Sequence, residues 1–318
     1  MAYGAIDVES GKPIAITLGD AAGIGPEIIV KAFRDAPEVT CGCFVVGDVP
    51  TLRRAAQLIR CAGAPGLPLA VLDSPAEALD MAPNCLPVLQ VQAFGAPVPF
   101  GKISAEAGQL AGRCVVWAAQ AALRGEIAAL VTAPLHKQAL AAAGPPFDAY
   151  PGHTEMLQAE VAKFLGKSVA DVPVRMMLAN DELRTVLVSI HVSLREAIAV
   201  VTMDNVLRTL RITHATLAAT LGRAPRIGVA GLNPHAGEGG LFGREEIEII
   251  APAIAQARAQ GMDVHGPFAP DKVFMRARAH HGPAGVVDVV VAMYHEQGLR
   301  PGKDLGSETG VQCETRLP

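Results

Sequence analysis

Residues 226–246 read Arg226-Ile-Gly-Val-Ala-Gly231-Leu-Asn-Pro-His235-Ala-Gly-Glu238-Gly-Gly240-Leu-Phe-Gly243-Arg-Glu-Glu246. The apolar run up to Ala230 has the length and composition of a buried strand, and it stops at Gly231. A polar loop follows, with one imidazole (His235), one carboxylate (Glu238) and the glycines Gly237, Gly239, Gly240 and Gly243, which let the backbone bend tightly. Glu245 and Glu246 suit the positively polarised first turn of a helix, which Ile247, Ile249 and Ile250 continue. Open α/β sheets bind ligands at such a place, where a strand ends in a glycine-rich turn before a helix. An ordinary βα turn, with His235 capping a loop group, fits the same text. Both readings stand at this point.

The same alternation extends outward along the chain. Apolar runs at 13–18, 44–48, 128–132 and 286–294 read as strands. Stretches 51–62, 104–123, 136–143 and 153–165 read as helices, and Ser193 with Glu196 forms a capping-box start for a helix over 193–201. Runs 174–178 and 185–191 read as paired strands, whereas 63–101 is too rich in Pro and Gly to order. Strands alternating with helices predict an α/β protein with mostly parallel sheets. Gly144-Pro-Pro-Phe-Asp148 interrupts the pattern and is the candidate crossing between domains.

Composition narrows the function classes. Half of the 318 residues are hydrophobic and 18% are charged, enough for a sizeable core and against disorder. A net charge of −4, without a lysine or arginine cluster, argues against nucleic acid or an anionic membrane as partner. The six cysteines form no C-x-x-C pair, which fits a reducing cytoplasm, and the first ten residues lack the features of a signal peptide. Two phosphate or dinucleotide motifs fail on inspection. Gly19-Asp-Ala-Ala-Gly-Ile-Gly25 would need glycine at Ile28, and Gly166-Lys-Ser168 would need glycine at Val161.

Three histidines close apolar strands: His191, His235 and His295. Parallel strands of one sheet deliver their carboxyl ends to one rim, where three imidazoles make a catalytic divalent-metal site. The competing reading gives each its own loop hydrogen bond. His153-Thr154 suits an anion such as phosphate at a helix start, or Thr154 is a plain N-cap. His214, His265, His280 and His281 read as surface residues.

Four stretches taken together resemble the 4-hydroxythreonine-4-phosphate dehydrogenase family, which also contains 4-phospho-threonate and 4-phospho-erythronate dehydrogenases. They are Gly19-Asp-Ala-Ala-Gly-Ile-Gly-Pro-Glu27, Tyr150-Pro-Gly-His-Thr-Glu155, Asn233-Pro-His-Ala-Gly-Glu-Gly-Gly240 and Ala292-Met-Tyr-His-Glu-Gln-Gly298. The likeness runs in matching order from about residue 12 to 303. It implies a fold similar to isocitrate and isopropylmalate dehydrogenases: two α/β/α domains with a cleft between them, in a homodimer whose partner completes the site. The expected domains are 1–143 with 266–318, and 144–265, the latter carrying metal and dimer contacts.

The resemblance implies that His191, His235 and His295 hold a divalent metal (Zn, Mg or Co), and that His153, Thr154, Lys303 and Gln312 bind substrate. Gln312 stands where the family has Asn. It further implies oxidation of 4-phosphooxy-L-threonine by NAD, or NADP, to a β-keto acid that loses carbon dioxide to give 3-amino-2-oxopropyl phosphate, a step of pyridoxine 5'-phosphate biosynthesis. The expected alternatives are a 4-phospho-D-threonate or D-erythronate dehydrogenase, and a shortened phospho-metabolite-binding homologue with little activity. That last alternative arises because the family usually continues beyond the position of Pro318 with an arginine and a His-Gly loop. No general base and no cofactor-binding residue is assigned. Ala21 and Glu296 stand where the family usually has Pro and Asp.

Overall fold

The computed structural model describes residues 11–60, 66–92, 97–278, 287–304 and 311–315. The chain divides into two compact units, with the division between Val172 and Pro173. The sequence reading places its boundaries at 143/144 and 265/266. Gly144-Pro-Pro-Phe-Asp148 belongs to the first unit, where buried Phe147 packs its ring on Gly112 so closely that a Cβ there would overlap it.

The first unit contains β1 (Ile14–Thr17), α1 (Gly25–Asp35), β2 (Cys43–Gly47), α2 (Val49–Leu58), β3 (Leu69–Val71), β4 (Leu86–Gln90), α3 (Ala105–Leu123), β5 (Ala129–Thr132), α4 (Lys137–Ala142) and α5 (His153–Phe164). Its strands run in the order β3-β4-β2-β1-β5, and every pairing is parallel. Strand β2 is buried at every residue, as a parallel strand covered on both faces must be. The core gathers around Phe44, Leu18, Leu52, Leu86 and Leu110. Strands β3 and β4 lie in the stretch that the sequence left unordered. Helix caps follow the local text: Asp48 accepts from the Thr51 amide at 3.0 Å, and Ser104 from Ala107 at 3.3 Å.

The second unit contains β6 (Arg175–Ala179), β7 (Arg184–Leu187), α6 (Leu194–Val200), α7 (Met203–Leu221), β8 (Ile227–Ala230), a π-helical turn (Glu246–Ile250) running into α8 (Ala251–Ala259), β9 (Val264–Phe268), α9 (Pro270–Ala277), β10 (Val289–Ala292), α10 (His295–Asp304) and β11 (Val311–Thr315). The order is β11-β6-β7-β10-β8-β9; β6 runs antiparallel to both its neighbours and the other pairs are parallel. Alternation along the central strands feeds two cores. Val186, Val229 and Val291 join one cluster, whereas Leu187, Ala230 and Val290 join the other with Val273 and Phe274 of α9. Ser193 and Glu196 form the capping box that the sequence predicts. Among the described residues no helix is long and apolar enough to cross a membrane.

Candidate functional site

Strands β7, β10 and β8 are consecutive in the second sheet and mutually parallel, so their carboxyl ends reach one rim. Each of these ends leads to one of the three histidines. The rings of His191 and His295 have centroids 5.8 Å apart, tilted by 45°. Two imidazoles on one ion, at metal–nitrogen distances of about 2.0–2.1 Å, have ring centres roughly 5–6 Å apart. This pair therefore fits two places of a coordination sphere. His235 lies instead against Phe242, with centroids 6.4 Å apart. Among the described residues no group of three His, Cys, Asp or Glu side chains is arranged to hold a metal. The structure brings two of the three together and leaves the third on the adjoining loop.

Side chains that the sequence reading did not single out fix this rim. The hydroxyl of Ser189 donates to the Met293 carbonyl at 3.0 Å, joining β7 to β10. Gln297, buried, accepts from the Met293 amide at 2.7 Å and donates to the Gly231 carbonyl at 2.8 Å, joining β10 to β8. Gly298 lets α10 lie on β7, since a Cβ there would overlap Leu187 and Thr185.

The loop after β8 is held by Glu246. The sequence assigns this residue to a helix start exposed to the dipole, but it is 3% exposed. Its carboxylate accepts from the amides of Leu232 and Asn233, both at 2.7 Å, and from the Asn233 side chain at 2.9 Å. Glu246 opens a π-turn, Glu246–Ile250, at the start of the following helix, a distortion frequent at functional sites. Asn233 also donates to Glu245 at 2.7 Å. Hydrogen bonds from its own amide and from Asn233 hold the Glu245 carboxyl below the ordinary glutamate range. Between these anchors His235, Ala236, Gly237, Glu238 and Gly239 all take left-handed backbone angles, with φ from 45° to 80°. Each non-glycine residue there costs about 1–2 kcal/mol, a strain typical of a loop held for function.

In the first unit, Gly19 (φ 71°) brings the loop after β1 against the loop after β5; its Cβ would meet the Pro134 carbonyl at 2.5 Å. The Asp20 amide donates to that carbonyl at 2.9 Å. His153 reaches the backbone of Ala133 in the same corner, while its Nε2 is shut off from solvent without a partner. Burial pushes the His153 pKa below its ordinary value. Helix α5 starts at His153 with Gly152 as its N-cap and no capping side chain, so Thr154 is not the cap that the plainer reading expected. First-turn amides of an uncapped helix suit an anion.

The remaining candidates are less gathered. Lys303 belongs to α10, the helix that begins at His295, roughly 12 Å further along its axis; its side chain lies outside the described residues. Gln312 is exposed on β11, the edge strand paired with β6. Of the histidines read as surface, His265 is exposed and contacts Asp263 at 2.6 Å. His214 is corrected: it is half-buried, with Nδ1 inaccessible. His280 and His281 lie outside the described residues.

Comparison with known proteins gives a consistent picture. A family model described as pyridoxal phosphate biosynthetic protein PdxA matches residues 39–318. The 4-hydroxythreonine-4-phosphate dehydrogenase of Beijerinckia indica is 44% identical over 313 residues, covering 96% of this chain and 84% of the relative. The D-threonate 4-phosphate dehydrogenase of Salmonella typhimurium is 42% identical, covering 96% and 88%. A crystal structure of 4-hydroxythreonine-4-phosphate dehydrogenase from Klebsiella pneumoniae superposes with a TM-score of 0.83 at 40% identity, covering 96% of this chain and 88% of that one.

Proposed function

The chain belongs to the family of pyridoxal phosphate biosynthetic protein PdxA, and from that premise we propose that it is a metal-assisted, NAD-linked dehydrogenase of 4-phosphooxy-L-threonine. The product of oxidation is a β-keto acid, which loses carbon dioxide to give 3-amino-2-oxopropyl phosphate. A second reading, a dehydrogenase of 4-phospho-D-threonate or D-erythronate, is favoured by relatives of comparable identity named D-threonate 4-phosphate dehydrogenase. We carry over the homodimer and the cytoplasmic setting as parts of the same proposal.

The single observation that carries the reading is the pairing of His191 and His295 at 5.8 Å on a rim of adjacent parallel strands. His235, from the next strand, completes the proposed set by leaving Phe242. A divalent ion held by these imidazoles would lower the hydroxyl pKa and polarise the carbonyl, and NAD would supply the hydride acceptor. The chain's own residues bind and orient. His153, with Thr154 and the open turn of α5, is assigned to an anionic end of the substrate. Lys303 supplies positive charge toward the carboxylate or phosphate, and Gln312 is the remaining proposed substrate contact. Ser189, Gln297 and Glu246 keep the strand ends in place while the substrate's carbinol hydrogen would leave with its electron pair as hydride and the hydroxyl would give up a proton.

NADH formation should be assayed with each of the three phosphorylated acids, with and without added zinc, magnesium or cobalt. Metal-dependent turnover of one substrate is expected. No turnover of any of them with any metal overturns the proposal.

A further inference from the structure

We infer that Gln297 is a positioning residue, an inserted amide that sets the spacing between the ends of β8 and β10 and so between His295 and the loop carrying His235. The inference rests on the metal-site reading above.

The argument starts from the ladder. Strands β8 and β10 pair from Val289 opposite Ile227 to Val291 opposite Val229, and strand structure ends at Ala230 and Ala292. Beyond that point parallel strands that splay leave backbone donors and acceptors without their ladder partners. The Gly231 carbonyl and the Met293 amide are such groups. A primary amide carries one acceptor and a two-proton donor in one plane, the same pair that a peptide unit offers. The side chain of Gln297 fills the opening: its oxygen takes the Met293 amide, and its nitrogen gives to the Gly231 carbonyl. Its 9% exposure keeps water from competing for either bond.

The bridge acts at the two imidazoles that follow β8 and β10. Gln297 is two residues from His295 on the first turn of α10, so fixing its side chain fixes the helix start. Gly231 leads into Leu232 and Asn233, whose amides are clamped by Glu246, and His235 follows two residues later. Gln297 thus hydrogen-bonds the backbone of both strand ends at once.

Two variants of the full chain separate the roles. Gln297→Ala removes both bonds. Gln297→Glu keeps the acceptor for Met293 and sets a carboxylate oxygen against the Gly231 carbonyl, breaking only the link to β8. Metal-free protein is titrated with cobalt(II) by calorimetry and visible absorption, and its thermal unfolding is followed without metal. We expect both variants to bind cobalt about 10–100-fold more weakly than the parent, the range for losing a residue that orients metal ligands. Folded variants with cobalt affinity within about threefold of the parent, well below that range, overturn the inference even when their melting temperatures fall. If the glutamate variant does not fold, the alanine variant decides. A parent protein that binds no cobalt overturns the metal reading itself, and this inference with it.

Discussion

The Ser189 hydroxyl donates to the Met293 carbonyl at 3.0 Å, linking two residues that each stand two positions before a candidate metal ligand, His191 and His295. The bond joins β7 to β10 after the ladder between them has run out near Leu187 and Ala292. Ser189→Ala removes a buried donor, at a cost of about 1 kcal/mol of stability. It should also weaken cobalt binding, because the two rings lose their common reference. Parallel thermal melts and cobalt titrations check this; a stability loss with unchanged affinity would leave Ser189 a structural residue only.

Much of this rim is visible in the sequence, for identifiable reasons. The text Val289–Ala292 is uniformly apolar because both faces of a central parallel strand are buried, so the strand stands out without tertiary knowledge. The neighbour relations β7-β10-β8 are another matter. They join segments some 100 and 60 residues apart, and helix packing rather than local text decides them. The burial of Glu246 is not legible in the sequence, because a helix start explains an acid adequately and burial is a property of the folded loop. Gln297 is equally silent in the sequence, where it reads as an ordinary polar residue in a first turn. The left-handed run over His235–Gly239 is signalled only at its glycines and His235, since Ala236 and Glu238 carry no preference for positive φ.

Glu246→Ala tests how strongly the loop depends on one buried carboxylate. It leaves the amides of Leu232 and Asn233 without their acceptor inside the protein. The expected loss is about 2–4 kcal/mol, with a smaller loss for Glu246→Gln, which retains one acceptor oxygen. Urea titration measures both. Equal stability of the alanine variant and the parent would mean that water reaches those amides, contrary to the burial described here.

At the opposite ends of the same strands, Asp288 is bound by Arg223 at 2.8 Å and by the Arg226 side chain at 2.9 Å, and it accepts from the Arg226 amide at 2.7 Å. Burial alone would raise its pKa, but the hydrogen bonds from Arg223 and Arg226 outweigh this and hold the carboxyl well below the ordinary carboxylate range. A folded pKa depressed below the unfolded value of about 3.9 stabilises the protein at higher pH, and that contribution is lost as pH falls through the carboxylate range. Asp288→Asn should cost about 1–2 kcal/mol near neutral pH, a figure kept low because both arginines are partly exposed. The difference from the parent should shrink in acid. A difference that stays constant down to about pH 2 would contradict the ion-pair account.

His153 gives a pH dependence of opposite use. Burial lowers its pKa, so in the free protein the ring is neutral near pH 7. One ring nitrogen serves the Ala133 backbone, and Nε2 waits without a partner. A neutral ring that donates to a carbonyl through one nitrogen carries only a lone pair on the other, which repels a phosphate oxygen. An anion must therefore bring a proton with it, and a bound anion raises the ring's pKa. The sign follows: affinity is greatest at low pH, falls as pH rises from the lowered free-state pKa to the raised bound-state pKa, by at most about tenfold per pH unit for one proton, and levels off above it. KM for the phosphorylated substrate should rise with pH across the neutral range. His153→Asn can donate at any pH, so it should flatten that rise while increasing KM by about 10–100-fold through the lost charged hydrogen bond. For comparison, the depressed pKa also makes His153 a source of stability above about pH 6.5 that is lost in acid, so the kinetic profiles must be taken where melts show the protein folded. A variant with the parent's KM and the parent's slope would remove His153 from the substrate site.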